Sequence, residues 1–167
     1  MASQFSLPYQ LPPIDLIPPQ AGGGSITSGY VSMRNALKAW LVVKVNQGNA
    51  ATVTITPLQA TNSSGAGSTA IGGADAAVPI WLDDNTSVST GSDALVAQTA
   101  ALNFTTDANV ASKEIIFELA PEAVLDQPNG FNHIAVQIGA SNAANIVTAT
   151  LHMLGSYQSA TPPTAYV

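Results

Sequence analysis

The chain has 167 residues, 46% of them apolar, so it can bury the core of one domain and is not a disordered polypeptide. Only 8% of its residues are charged, against roughly a quarter in an average soluble domain. Its four cations, Arg34, Lys38, Lys44 and Lys113, form no cluster against a net charge of −6, which argues against nucleic acid or an anionic membrane as a partner.

The absence of cysteine rules out disulfides, Cys-ligated zinc and a Cys nucleophile. A surface made mostly of Ser, Thr, Asn, Gln, Ala and Gly repels its neighbours weakly and suits a protein that lives inside an assembly.

In chain order, residues 1–28 form a distinct unit. Pro8, Pro12, Pro13, Pro18 and Pro19 predict an extended arm, and Gly22, Gly23 and Gly24 predict a flexible joint at its end. The arm carries Phe5, Leu7, Tyr9, Leu11, Ile14, Leu16 and Ile17, more large apolar side chains than a linker needs. These seven are the candidate partner-binding residues, expected to lie in a groove on a neighbouring subunit. Deleting the arm is then expected to spare the fold and weaken assembly.

From Tyr30 the pattern is β. Residues 39–45 are apolar on nearly both faces, as in a central strand, and residues 52–56 alternate strictly. Between them Asn46-Gln47-Gly48-Asn49 has hairpin chemistry. Residues 61–73 read as an exposed loop, and Pro79 and Pro121 as strand starts or edges. Residues 114–119, 131–138 and 146–154 alternate again, while 93–103 and 120–125 could each hold a helical turn. A second extended tail follows at 156–167. The expected fold is all-β: an antiparallel sandwich over 29–155, jelly-roll or Greek-key in type.

No apolar run approaches the ~20 residues of a membrane helix. Prolines interrupt each apolar stretch before Arg34, so no secretory signal is expected and synthesis is placed in a cytoplasm.

Candidate chemistry is sparse. Asp83, Asp84, Asn85 and Asp93 offer hard oxygen ligands for calcium but lack the spacing of a calcium loop, and a solvated turn explains them better. Glu114 and Glu118 share the polar face of a strand and read as surface charge. The Gly65–Ala70 stretch lacks the Lys and the helix of a phosphate loop. If residues 131–138 and 146–154 formed a hairpin, one register would set His133 opposite His152, as a metal pair or acid switch would need. No Ser nucleophile elbow is present. The expectation is no catalysis, no metal and no cofactor.

Several stretches carry a resemblance: Pro8-Tyr9-Gln10-Leu11-Pro12-Pro13-Ile14-Asp15-Leu16; Asn46-Gln47-Gly48-Asn49-Ala50-Ala51-Thr52-Val53 with the following Thr56-Pro57-Leu58-Gln59-Ala60-Thr61; and, in the C-terminal third, Gly130-Phe131, Gly139-Ala140-Ser141-Asn142-Ala143-Ala144-Asn145-Ile146 and Ala160-Thr161-Pro162-Pro163-Thr164-Ala165. They resemble small structural proteins of tailed bacteriophages. The resemblance implies a non-enzymatic decoration or cement protein on the capsid surface of the virion, assembled in the host bacterial cytoplasm. It implies the major capsid protein as partner and a homo-oligomer, a trimer by preference. A head–tail connector or tail component is the alternative of the same class. A carbohydrate-binding β-sandwich module is the alternative of another class. It would display aromatics on one face, whereas Trp40 and Trp81 stand in apolar strands and are expected in the core.

Overall fold

The computed structural model describes residues 7–72, 77–87 and 93–155. The strands in chain order are β1 (Pro13–Ala21), β2 (Ile26–Thr27), β3 (Val31–Ser32), β4 (Ala36–Gln47), β5 (Thr54–Ala60) and β6 (Thr69–Ala70), then β7 (Val78–Asp83), β8 (Val96–Ala101), β9 (Phe104–Thr105), β10 (Ser112–Leu119), β11 (His133–Ile138) and β12 (Asn145–Gly155). Two four-residue helices accompany them, α1 (Leu7–Gln10) and α2 (Pro121–Val124). Sheet A has the order β1-β12-β4-β10-β7-β8 and sheet B the order β2-β11-β5-β6, with β3 also on β11 and β9 also on β5. The two antiparallel sheets pack on one another, which makes the fold the all-β sandwich expected.

Period-2 alternation explains the packing. In β4, Ala39, Leu41, Val43 and Val45 are buried while Lys38, Trp40, Val42 and Lys44 face outward. In β12, Val147, Ala149, Leu151 and Met153 are buried, and in β10 Ile115, Phe117 and Leu119 are. These meet Ile55, Ile134, Val136 and Ile138 of sheet B in a single core. Each fully buried Ile, Leu or Phe contributes about 1.5–3 kcal/mol against exposure.

The sheet order corrects two expected hairpins. Strands β4 and β5 lie in different sheets, as do β11 and β12, so the links between them cross from sheet to sheet. These crossovers bind each other at one end of the sandwich. The Asn145 side chain accepts a hydrogen bond from the Asn49 backbone N–H at 2.9 Å and donates to Ala51 O at 2.9 Å. The Gln47 amide donates to Ala51 O and Asp107 O at 3.0 and 2.8 Å. Both amides are buried, at 0% and 1% exposure, so their partners must be supplied by protein. Gly48 serves this clasp by its small size: a Cβ there would stand 2.5 Å from Ala144 O. Of the turn expected at 46–49, Asn46 and Gln47 still belong to β4, and only Gly48 and Asn49 leave the strand, at a corner between sheets.

The N-terminal unit also departs from expectation. Residues 13–21 are not a free arm; they form β1, paired antiparallel with β12 of the same chain from Pro13 opposite His152 to Ala21 opposite Ile146. Prolines are compatible because β1 is an edge strand, and the pairing slips between Ile17 and Gln20 where Pro18 and Pro19 lack N–H donors. The boundary expected near Ser28 separates nothing, since β2 belongs to sheet B. Gly22 is no joint either: it is buried, and its N–H donates to Asn145 O at 2.7 Å.

Two smaller corrections complete the comparison. Residues 93–103 hold strand β8 and no helical turn, while Pro121 starts no strand but opens α2, the turn expected over 120–125. The loop from Thr61 returns to sheet B as β6, with Ile71 at 0% exposure behind it. The expected tail 156–167 lies outside the described residues.

Candidate interaction surface

The outer face of sheet A carries the aromatic side chains expected in the core. Strand register sets Pro13, His152, Trp40 and Glu118 in one row across β1, β12, β4 and β10. The next row runs Asp15, Thr150, Val42, Ile116, Trp81 and Ala97 across all six strands. Trp40, Val42, Trp81 and Ile116 are half-buried on this face. Aromatic surface held in this way remains available to a partner. A signal for it was present in the sequence: Lys38 and Lys44 share the parity of Trp40, and Glu114 and Glu118 share that of Ile116.

Both lysines of this face are paired on it, while Asp15 and the contacting Asp83 and Asp93 leave it a carboxylate excess. Lys38 bonds the Glu118 carboxylate and sits 5.3 Å from the Trp40 ring centroid. The other Glu118 oxygen accepts the Trp81 indole N–H at 2.8 Å. Glu118 is therefore held below the usual carboxylate range, chiefly by the Lys38 bond. Lys44 pairs with Glu114 at 2.9 Å. Glu118 thus positions both indoles and is committed to that task; Glu114 and Glu118 form ion pairs rather than a carboxylate pair aimed at a substrate.

Asp83, Asp84, Asn85 and Asp93, read as a solvated turn rather than a calcium site, divide between different partners. Asp83 is buried and hydrogen-bonded by Asn85 N–H, and its contact with Asp93 raises the Asp93 carboxyl above its ordinary range. Asp84 instead pairs with Lys113 at 3.1 Å. Among the described residues no group of three His, Asp or Glu side chains is placed to hold a metal ion.

Sequence reasoning missed Lys113. Its side chain is 0% exposed, points inward with Ile115 and Phe117, and meets Asp107 and Asp84 at the end of the core. Its bond to Asp107 holds that carboxyl below its ordinary range.

The two histidines are apart. His152 lies in sheet A, its Nδ1 3.3 Å from Leu11 O; His133 lies in sheet B opposite Ser32 and Ala60. His133 is 6% exposed and its Nδ1 has no hydrogen-bond partner among the described residues. Burial, aided by the Arg34 charge, pushes its pKa down. A histidine held neutral in the fold but free to protonate when unfolded makes stability fall as pH drops below the unfolded value of about 6.5. Thermal melts of the wild type should therefore begin to decline below that pH, and His133→Leu should flatten this limb. An unchanged limb in the variant would place its cause elsewhere.

The seven candidate arm residues separate. Ile17 is 1% exposed in the core, with Ile14 and Leu16 packed against it. Leu11 is half-buried and Leu7, in α1, is 46% exposed. Tyr9 lies in α1, and Phe5 falls outside the described residues. Among the five of the seven whose side-chain exposure is described, Leu7 is the most open to a partner.

No protein-family model matches the chain, and no curated protein matches it significantly.

Proposed function

We propose that this chain is a non-enzymatic structural protein of a tailed-phage virion, a decoration or cement protein that binds the major capsid protein and stabilises the head as a homo-oligomer. The observation that carries this reading is the aromatic, charge-paired outer face of sheet A. The phage-like stretches at 8–16, 46–53 and 139–146 support it, as does a chain with 8% charged residues. A partner meeting Trp40, Val42, Trp81 and Ile116 gains apolar contact beside Glu118 and Glu114, which Lys38 and Lys44 already pair, and meets one further carboxylate, the exposed Asp15, at the β1 end of the row. A head–tail or tail position uses the same contacts and is separated from a head position by imaging.

Co-sedimentation with capsid shells tests it. Trp40→Ala and Trp81→Ala should each lower affinity at least tenfold, about 1.4 kcal/mol, as buried aromatic anchors do. Raising salt from ~0.1 to ~0.5 M should change retention less than about threefold, since exposed ion pairs are worth about 0–1 kcal/mol. Ready release by salt, with the Trp variants still retained, would defeat this reading.

The same two indoles favour a second reading, a carbohydrate-binding module that stacks sugar rings on Trp40 and Trp81. One β-sandwich architecture hosts many unrelated functions, so the fold alone does not choose. Oligosaccharide binding that Trp81→Ala abolishes would select it.

A further inference from the structure

Among the described residues, the sandwich protects every long sheet edge except one. Sheet B ends in strands of two residues, β2, β3, β6 and β9, too short to template another chain. On sheet A, β1 carries three prolines in nine residues and pairs irregularly, so it offers few outward N–H donors. The opposite edge, β8, has no proline, and no charged residue occurs from position 95 to 104. Among the described residues it pairs with β7 alone. Its apolar side chains are open to solvent: Val96 is 59% exposed, Leu95 47% and Leu102 38%.

We infer that β8 is a self-pairing edge through which two copies of this chain join antiparallel about a two-fold axis, merging their A sheets into one of twelve strands. A second copy is the occupant that fits. Two identical antiparallel strands present matching rows of N–H and C=O to each other, so a two-fold satisfies both at once. Like charges facing one another would oppose such pairing, and this strand has none. The prolines of β1 prevent β8 from joining the other edge of a neighbour, so the contact closes as a dimer and does not propagate as a filament. A charged peptide would find no complementary group along β8.

The edge is short. A six-residue strand buries less than the roughly 800 Å² per partner of a standard interface, so the dissociation constant should be on the order of tens of micromolar or weaker. Each copy carries −6, so salt should tighten the dimer by screening this repulsion. The inference is independent of the capsid reading, because its test uses the free protein.

Sedimentation of the full chain between about 10 and 500 µM should show a monomer–dimer equilibrium. The double variant V96K/A100K, at two exposed positions, should raise the dissociation constant at least tenfold with an unchanged thermal melt. Because the chain lacks cysteine, single-cysteine variants give a second readout that needs no loss of binding. Among Ala97→Cys, Gln98→Cys and Thr99→Cys, at least one should cross-link to dimers under mild oxidation, while Thr27→Cys on sheet B should not. A monomer throughout the range, an oligomer indifferent to the two lysines, or equal cross-linking at Thr27 would overturn the inference.

Discussion

Removal of residues 1–21 is expected to unfold the domain rather than merely to weaken its assembly. The deletion takes away Ile17, buried in the core at 1% exposure, and strips β12 of its neighbour along Pro13–Ala21. It also removes the Ile17 carbonyl that accepts the Thr148 hydroxyl at 2.8 Å. Losing a buried Ile alone costs about 2–5 kcal/mol, and a domain has roughly 5–15 kcal/mol in total. Exposing the core behind a whole strand should consume most of that. Urea denaturation should find little cooperative transition in the truncated chain, and Ile17→Ala should lose about 2–4 kcal/mol. A soluble truncated protein with an unchanged midpoint would mean that β1 is not part of the domain in solution.

The second large effect belongs to Lys113. Lys113→Ala removes a buried side chain and leaves Asp84 and Asp107 without their cation, at an expected cost of about 3–5 kcal/mol. Those carboxylates are 49% and 47% exposed, so water can take over from the amine. The vacated volume is therefore the larger part of the loss. Lys113→Met, which refills it, should cost less than about 1.5 kcal/mol. Asp107 adds an acid limb. Its folded pKa is depressed, so its contribution is present above the unfolded value of about 3.9 and is lost as pH falls below it. Lys113→Met should shrink this lower limb while leaving the His133 limb above it intact. Equal losses for Ala and Met would show that the ion pairs, and not the packing, hold this end of the core.

Strands were legible because alternation is local. Each residue's parity in 114–119 and 146–154 survives in β10 and β12. Pairing was not legible, because turn residues such as Asn46-Gln47-Gly48-Asn49 look alike whether the chain doubles back or crosses to the other sheet. Only contacts a hundred residues apart, such as Asn145 with Ala51, decide which happens. Prolines at 13, 18 and 19 masked a strand, since an edge tolerates what a sheet interior forbids. Trp40 and Trp81 were expected in the core by their hydrophobicity, yet the alternation with Lys38 and Lys44 already assigned Trp40 to the outer face. The same parity placed Lys113 inward beside Ile115 and Phe117. Composition suggested the surface chemistry; register determined where it lies.

On the proposed function, sheet A's aromatic face mounts this protein on a capsid. Electron cryo-microscopy of shells assembled by co-expressing the chain with the major capsid protein proposed as its partner tests this. Added density should then appear at regular lattice positions, with Trp40 and Trp81 turned towards the shell. Bare shells, or copies seated with that face outward, would contradict it.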